Sequence, residues 1–192
     1  LVNHGKPVFR CLCLAATLSL GLTLGCVPGA CLPTAQAAAP GKRLSAVYVY
    51  DGSRAKYRDA DAASIDQIFY SFALFRKGHV SVSHWKNFKT FQQYLRKHPQ
   101  IQPILSIGGW GADGFSQAAA TAETRAAFVA DTLALLTQYG FTGVDIDWEY
   151  PGSSVAGIES SPADRENYTL LLQALREGLD TLAAQDGIAR RL

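Results

Sequence analysis

Four short apolar runs recur along the chain after residue 43, and segments with helical spacing separate them. Each run is rich in β-branched or aromatic residues and is too continuous for a strand with one solvent-exposed face. Such runs are typical of strands in a parallel sheet that is covered on both faces. The sequence therefore predicts four strands, at residues 44–50, 67–74, 101–107 and 141–148.

Three helices are predicted between and after these strands. Apolar residues at near-helical spacing predict helices over 80–98 and 122–139, and Gly140 ends the second. The third begins at Ser161, because a serine cap followed by a proline and a carboxylate is a common helix entry. The expected buried stripe of this third helix consists of Tyr168, Leu171, Leu172, Leu175, Leu179 and Leu182.

Strands that alternate with helices indicate βαβ units and an α/β fold. Four strands fit either a small open sheet or half of an eight-stranded barrel, which takes about 250 residues. The chain stops at Leu192, where a fifth strand is due, and it contains no Met. We therefore interpret it as an amino-terminal fragment of a (β/α)8 TIM barrel with about the first four βα units.

Residues 1–37 have the pattern of a secretory signal peptide. Lys6 and Arg10 precede an apolar run over 11–26, and a small-residue stretch offers cleavage after Ala37 or Ala39. The alternative is a lipid anchor, with attachment at the sulfur of Cys26. We therefore expect a secreted protein, extracellular or periplasmic, in which residues 38–192 form the amino-terminal half of the barrel. The four cysteines leave with the signal, so no disulfide framework is expected in the mature chain.

Charge adds little beyond excluding some partners. The chain has 18 basic and 16 acidic residues, and removal of Lys6 and Arg10 makes the mature part formally neutral. A neutral surface favours neither nucleic acid nor an anionic membrane as a partner. A neutral surface suits an uncharged substrate such as a polysaccharide. We also expect the mature protein to be a monomer.

The candidate chemistry lies in the last predicted strand, where Asp145, Asp147 and Glu149 alternate with Val144, Ile146 and Trp148. Side chains on a strand alternate between its faces, so the three carboxylates share one face. A solvated edge or a metal site would also use acids. Alternation with large apolar residues argues against the first, and the lack of a nearby histidine argues against the second.

Crowding of three carboxylates has an electrostatic consequence. Like charges and burial raise the pKa of at least one carboxyl, and the row titrates as a coupled set. A carboxylic acid that is still protonated near neutral pH can protonate a glycosidic oxygen. Glu149 lies outermost and reaches furthest, so it is the predicted acid.

The segment Asp-x-Asp-Trp-Glu-Tyr-Pro at 145–151 resembles the signature of family-18 chitinases of the bacterial type. Two further matches are Ser106-Ile107-Gly108-Gly109-Trp110, similar to the family's Ser-x-Gly-Gly element, and residues 166–172, similar to the helix after the catalytic strand. The resemblance covers roughly residues 43–192. It departs from the family at Thr142, where an Asp is usual. Residue 142 should face away from the acids and support the strand.

This resemblance implies a substrate-assisted retaining hydrolysis of chitin without a metal or organic cofactor. Glu149 would act as general acid and base, Asp147 would steady the substrate's acetamido group, and Asp145 would lie beneath it. Ser106 is the expected partner of Asp145, supported by Gly108 and Gly109. The implied substrate-binding aromatics are Tyr50, Phe72, Trp110 and Tyr150.

Two other functions stay open. An endo-β-N-acetylglucosaminidase acting on N-glycans shares the acid row, and a chitin-binding lectin can share the fold. We expect that this fragment alone is inactive, because the family's site also draws residues from later strands.

Overall fold

Parallel strands and helices alternate along the part of the chain that the computed structural model describes, residues 43–52 and 56–192. These residues belong to one compact unit, Lys42–Leu192. The strands are β1 Ala46–Tyr50, β2 Gln67–Arg76, β3 His79–Ser81, β4 Gln102–Gly108 and β5 Gly143–Asp147. The helices are a 3₁₀ helix Asp59–Ser64, α1 Phe88–Lys97, α2 Phe115–Ala120, α3 Ala122–Tyr139 and α4 Asp164–Asp186.

The sheet has the order β1–β2–β4–β5, and all three pairings are parallel. A further parallel bridge joins Gly143 of β5 to Arg191. The Val144 amide donates to the Arg191 carbonyl across 3.0 Å, and the Arg191 amide donates to the Thr142 carbonyl across 3.1 Å. The chain therefore pairs as the next parallel strand where the sequence predicts one.

The core lies between the sheet and its helices. The buried apolar residues of the three long helices are Phe88, Phe91 and Tyr94 of α1, Phe128, Leu135 and Leu136 of α3, and Leu171, Leu175 and Leu179 of α4. On α4 the fully buried positions are four residues apart, which is the spacing of one helix face. Leu172, Leu182 and Tyr168 are only partly buried, so the predicted stripe is broader than the observed one.

Strand β1 differs from the prediction of a strand covered on both faces. Val47 and Val49 are partly buried against the core, whereas Tyr48 and Tyr50 are 59% and 58% exposed on the opposite face. The apolar run concealed this difference because tyrosine rings count as apolar although their hydroxyls are polar. The open face is the one that carries the candidate site.

The predicted helix over 80–98 is wrong in its first half. Residues 79–81 form β3, which pairs antiparallel with β2 through the two-residue turn Lys77–Gly78. Both turn residues have positive φ, 53° and 80°, as a type I′ hairpin turn requires. Helix α1 begins only at Phe88, where the buried Asp51 carboxylate accepts hydrogen bonds from the preceding amides of Lys86 (2.7 Å) and Asn87 (3.0 Å).

Trp85 packs into the core from the connection before α1. Its ring contacts Tyr70, Phe88, Tyr139 and Phe141, and its indole nitrogen donates to the Phe72 carbonyl across 2.9 Å. The near-helical spacing of Trp85 therefore comes from a shared core and not from a shared helix.

Two helix starts were not predicted. The short helix α2 has no sequence expectation, and α4 begins at Asp164, three residues after the predicted cap Ser161. The Asp164 amide donates to the Ser161 carbonyl across 3.0 Å, so residues 161–164 form a turn before the helix. The predicted signal peptide at 1–37 lies outside the described residues. Among the residues that are described, no helix is long and apolar enough to cross a membrane.

Candidate active site

The three acids lie at the carboxyl end of β5. Asp145 and Asp147 belong to the strand, and Glu149 follows two residues later. Trp148 points to the opposite, helical side, where its ring stacks on Phe115 of α2 (5.3 Å) and meets Tyr168 of α4 edge-on (5.4 Å). The structure thus separates the carboxylates from the apolar residues as the two-residue period predicts.

Asp145 is held by two hydroxyl groups from other strands. Ser106, the register partner of Asp145 on β4, donates to Oδ2 across 2.6 Å, and Tyr48 of β1 donates to the same oxygen across 3.1 Å. Ser106 is the partner that the sequence predicts. Tyr48 was missed, although Tyr48 and Tyr50 alternate with Val47 and Val49, a period-two signal that could have assigned Tyr48 to the site face.

Tyr48 remains a hydrogen-bond donor over the whole physiological pH range. Partial burial, the charge of Asp145, the hydrogen bond to Asp145 and the charge of Asp147 together raise the pKa of Tyr48 to about 12. Tyr48 also stacks on Phe69 of β2, with ring centroids 4.9 Å apart. The phenol is therefore fixed in both position and protonation state.

The middle carboxyl of the row, Asp147, has a raised pKa. Burial raises the pKa of Asp147 above its ordinary 3.8, and the charges of Glu149 and then Asp145 raise it further. This is the effect that the sequence predicts for at least one member of the row.

Glu149 has a second neighbour in Tyr150, which follows it directly. A hydrogen bond with the Glu149 side chain and the charge of that carboxylate raise the pKa of Tyr150. The Tyr150 ring meets Trp110 edge-on, with centroids 6.4 Å apart. The peptide bonds Glu149–Tyr150 and Ser71–Phe72 are cis.

Gly108 and Gly109 allow β4 to end against the acid strand. The Gly109 amide donates to the Asp147 carbonyl across 2.9 Å. Gly108 has φ +121°, and a Cβ there would lie 2.1 Å from that same carbonyl oxygen; a Cβ on Gly109 would lie 2.8 Å from the Phe72 ring. Only glycine permits this approach, so the Ser-x-Gly-Gly element places both Ser106 and Trp110 beside the acids.

A cleft of ≈ 610 Å³ lies along the carboxyl ends of β1, β2 and β4. Its lining includes three of the predicted substrate-binding aromatics and both glycines: Tyr50, Phe72, Trp110, Gly108 and Gly109. Trp110 is 65% exposed. Tyr150, the fourth predicted aromatic, is not among the residues that line this cleft, but its ring contacts that of Trp110. Flat, exposed rings along a cleft suit the apolar faces of sugar rings.

Thr142 supports β5 from outside the acid row, as the sequence predicts. Its hydroxyl and amide both donate to the Pro103 carbonyl, across 3.1 Å and 2.8 Å. Within residues 43–52 and 56–192, no group of three or more His, Cys, Asp or Glu is placed to hold a metal ion.

A carboxylate row at the carboxyl end of a strand in a parallel sheet, beside an aromatic cleft, lies where α/β barrels carry their active sites. The model of one family, the glycosyl hydrolases family 18, matches residues 46–191. The chain belongs to this family, and β1, β2, β4 and β5 form part of its (β/α)8 TIM barrel.

Known proteins similar to the chain carry chitinase or glucosaminidase names. It is 43% identical to chitinase A1 of Niallia circulans over 103 residues, 53% of this chain and 15% of that protein. It is 31% identical to chitotriosidase-1 of Mus musculus over 140 residues, 70% of this chain and 29% of that protein. A solved family-18 N-acetylglucosaminidase from Paenibacillus barengoltzii matches with TM-score 0.73 and 36% identity, covering 77% of this chain and 44% of that one. The chain thus spans less than half the length of these proteins.

Proposed function

We propose that the full-length protein carrying this chain hydrolyses chitin, the β-1,4-linked polymer of N-acetylglucosamine. The observation that carries the proposal is the row Asp145–Asp147–Glu149, in which Asp145 is held by Tyr48 and Ser106 and Asp147 has a raised pKa. The name of the relative chitinase A1 supports chitin as the substrate.

Glu149 is the proposed proton donor. In the first step it protonates the glycosidic oxygen while the bond from that oxygen to the anomeric carbon breaks. The carbonyl oxygen of the substrate's own N-acetyl group attacks the anomeric carbon from the other side and forms an oxazolinium-like intermediate. In the second step Glu149 takes a proton from water, and the water oxygen opens the intermediate with retained configuration.

Asp147 lies between Glu149 and Asp145 and has the proposed task of orienting the acetamido group. A carboxyl with a raised pKa can exchange a proton within the row as Glu149 changes its charge. Beneath Asp147 lies a hydrogen-bonded support that consists of Asp145, Tyr48 and Ser106. These steps require no metal or organic cofactor.

The test uses substrates that differ in the acetyl group. The full-length protein should cleave chitohexaose and leave the fully deacetylated glucosamine hexamer intact, because the latter lacks the internal nucleophile. Equal cleavage of both would contradict the substrate-assisted route. Release of glycans from a high-mannose glycoprotein at a comparable rate would favour the endo-β-N-acetylglucosaminidase alternative, and binding of chitin without turnover would favour the lectin.

Secretion is part of the proposal. Residues 1–37 have the composition of a signal peptide, and a neutral mature part fits an extracellular or periplasmic monomer with an uncharged substrate. Amino-terminal sequencing of the exported protein should find residue 38 or 40 first. A lipid-modified Cys26 would establish the anchored alternative.

We also propose that residues 38–192 alone do not turn over chitin. The described strands form an open sheet, in which β1 pairs only with β2 and its Tyr48 and Tyr50 rings are exposed. An open edge and an uncovered site face give no enclosed site. Turnover of chitooligosaccharides by this piece at the rate of the full-length protein would contradict the proposal.

A further inference from the structure

A second buried carboxylate lies outside the acid row. Asp164, the first residue of α4, is fully buried with 0% exposure. Its Oδ1 accepts a hydrogen bond from the Ser116 hydroxyl across 2.6 Å. Its Oδ2 accepts two more, from the Gly152 amide across 3.1 Å and from the Ser161 amide across 2.8 Å.

These three donors come from different parts of the chain. Gly152 and Ser161 are the first and last residues of the loop that follows Glu149. Ser116 belongs to α2, which comes earlier in the chain. One carboxylate oxygen therefore closes the base of the loop over 152–161, and the other oxygen ties that base to a neighbouring helix.

The carboxyl-terminal part of the same loop is fastened independently. The Asp113 carboxylate accepts from the Glu159 amide across 3.0 Å and from the Gly114 amide across 2.8 Å. Ile158 is buried in the core. The structure therefore attaches this loop at its base and again near its carboxyl end.

The attachment point is close to the proposed chemistry. Gly152 is three residues after Glu149 and two after Tyr150; the Glu149 carboxylate raises the pKa of the Tyr150 hydroxyl, and the Tyr150 ring meets Trp110 edge-on. The bond from Gly152 to Asp164 therefore fixes the direction in which the chain leaves the acid. A displacement of about 1 Å in a catalytic group can cost a hundredfold in rate.

We propose that Asp164 is a positioning residue for the hydrolysis described above: its carboxylate holds Gly152, and through Gly152 it keeps Tyr150 against Glu149. The inference rests on the proposed function, because it assigns Asp164 an effect on the step that Glu149 performs.

The test compares variants of the full-length protein with chitohexaose as substrate. Asp164→Ala removes all three bonds and should lower kcat about thirtyfold, within the range for a displaced catalytic group, with a smaller change in KM. Asp164→Asn should stay within about threefold of wild type, because its amide oxygen can accept from both amides and its NH₂ can donate to Ser116.

A double-mutant cycle separates positioning from a loss of stability. If Asp164 acts through Tyr150, then Tyr150→Phe should lower kcat much less in the Asp164→Ala background than in wild type. Leu179→Ala serves as the stability control, because Leu179 is fully buried on the same helix and outside the loop. That control should lower the melting temperature and leave kcat at 25 °C unchanged.

The possible outcomes distinguish a failure of this inference from a failure of the proposed function. An unchanged kcat in Asp164→Ala, or additive effects of Asp164→Ala and Tyr150→Phe, would overturn the inference. The proposed function would still stand if the wild type turns over chitohexaose and Glu149→Gln does not. No turnover by the wild type would overturn both. If Asp164→Ala does not fold, Ser116→Ala takes its place: a loss of about threefold that is coupled to Tyr150 supports the inference, and an absent or additive loss overturns it.

Discussion

The Tyr48 hydroxyl donates a hydrogen bond to the Asp145 carboxylate across 3.1 Å, although the two residues are 97 positions apart in the sequence. Tyr48 lies on β1 and Asp145 on β5, at opposite ends of the sheet order β1–β2–β4–β5. The bond spans the inner side of the curved sheet and brings the first strand into the acid row. Ser106 donates to the same oxygen from the adjacent strand β4.

Because both hydroxyls donate to the same Asp145 oxygen, the effects of substituting Tyr48 and Ser106 on kcat should not be additive. Tyr48→Phe and Ser106→Ala should each lower kcat on chitohexaose about tenfold, because each leaves Asp145 with one hydroxyl donor, and a hydrogen bond to a charged group is worth about 1.5–3 kcal/mol. The double variant should lose more than the product of the two single effects, since Asp145 then has neither donor. Steady-state kinetics measure all three.

Tyr57→Phe is the matched control for the tyrosine substitution. The Tyr57 hydroxyl is buried and has no hydrogen-bond partner within the described residues, so its removal should leave kcat unchanged. Strict additivity of Tyr48→Phe and Ser106→Ala would contradict a common action on Asp145.

The raised pKa of Asp147 predicts a pH-dependent stability. Between pH 3.8 and its raised pKa, the folded state binds more protons than the unfolded state, so this carboxyl lowers stability as pH rises through that window. Above the window the loss is constant. Asp147→Asn should therefore raise the melting temperature of the full-length protein at pH 7 and have little effect below pH 3.8.

Thermal melts at several pH values check this prediction. Glu177→Gln, which changes an exposed carboxylate on α4, is the control and should give no such pH-dependent gain. A destabilised Asp147→Asn variant at pH 7, or a gain that is the same at pH 3 and pH 7, would show that burial and like charges do not penalise ionised Asp147.

Gly108 predicts a steric limit next to the acid strand. Gly108→Ala places a Cβ 2.1 Å from the Asp147 carbonyl oxygen at φ +121°, so β4 and β5 must separate there. The expected loss in unfolding free energy is about 4 kcal/mol or more, with loss of hydrolysis. Gly140→Ala is the matched control: φ is +77°, nothing lies within 4 Å, and the expected cost is about 1–2 kcal/mol. Similar melting temperatures for both variants would contradict the close-approach argument.

Trp110 predicts an effect on binding. Its side chain is 65% exposed beside the cleft, so Trp110→Ala should leave the melting temperature nearly unchanged. It should raise KM for chitohexaose about tenfold, which corresponds to about 1.4 kcal/mol of lost binding, and change kcat less. Leu170→Ala, at an exposed apolar position on α4, should change neither. An unchanged KM in Trp110→Ala would remove Trp110 from the substrate cleft.

The parts of the molecule that follow local rules were predictable from the sequence. The alternation of Asp145, Asp147 and Glu149 with large apolar residues gave their common face, and Gly140 gave the end of α3. The pairing of Ser106 with Asp145 followed from the resemblance to family 18. Each of these inferences needs either one segment or one known motif.

The parts that depend on contacts between distant segments were not predictable in this way. Trp85 has near-helical spacing to Phe88, yet the Lys77–Gly78 turn and the Asp51 carboxylate place it before α1. The roles of Tyr48 and Asp164 likewise arise only when separate elements pack together. A single sequence does not specify which distant groups meet.

The central claim is that Glu149 donates the proton that breaks the glycosidic bond. Glu149→Gln keeps the size and hydrogen-bonding shape of the side chain but removes its acid function, and Glu166→Gln, at an exposed position on α4, serves as the control. The decisive measurement is kcat of the full-length protein on chitohexaose for both variants. Glu149→Gln should lose at least about a thousandfold, within the range for a general acid, at an unchanged melting temperature, while Glu166→Gln keeps full activity. Wild-type turnover by Glu149→Gln would contradict the assignment.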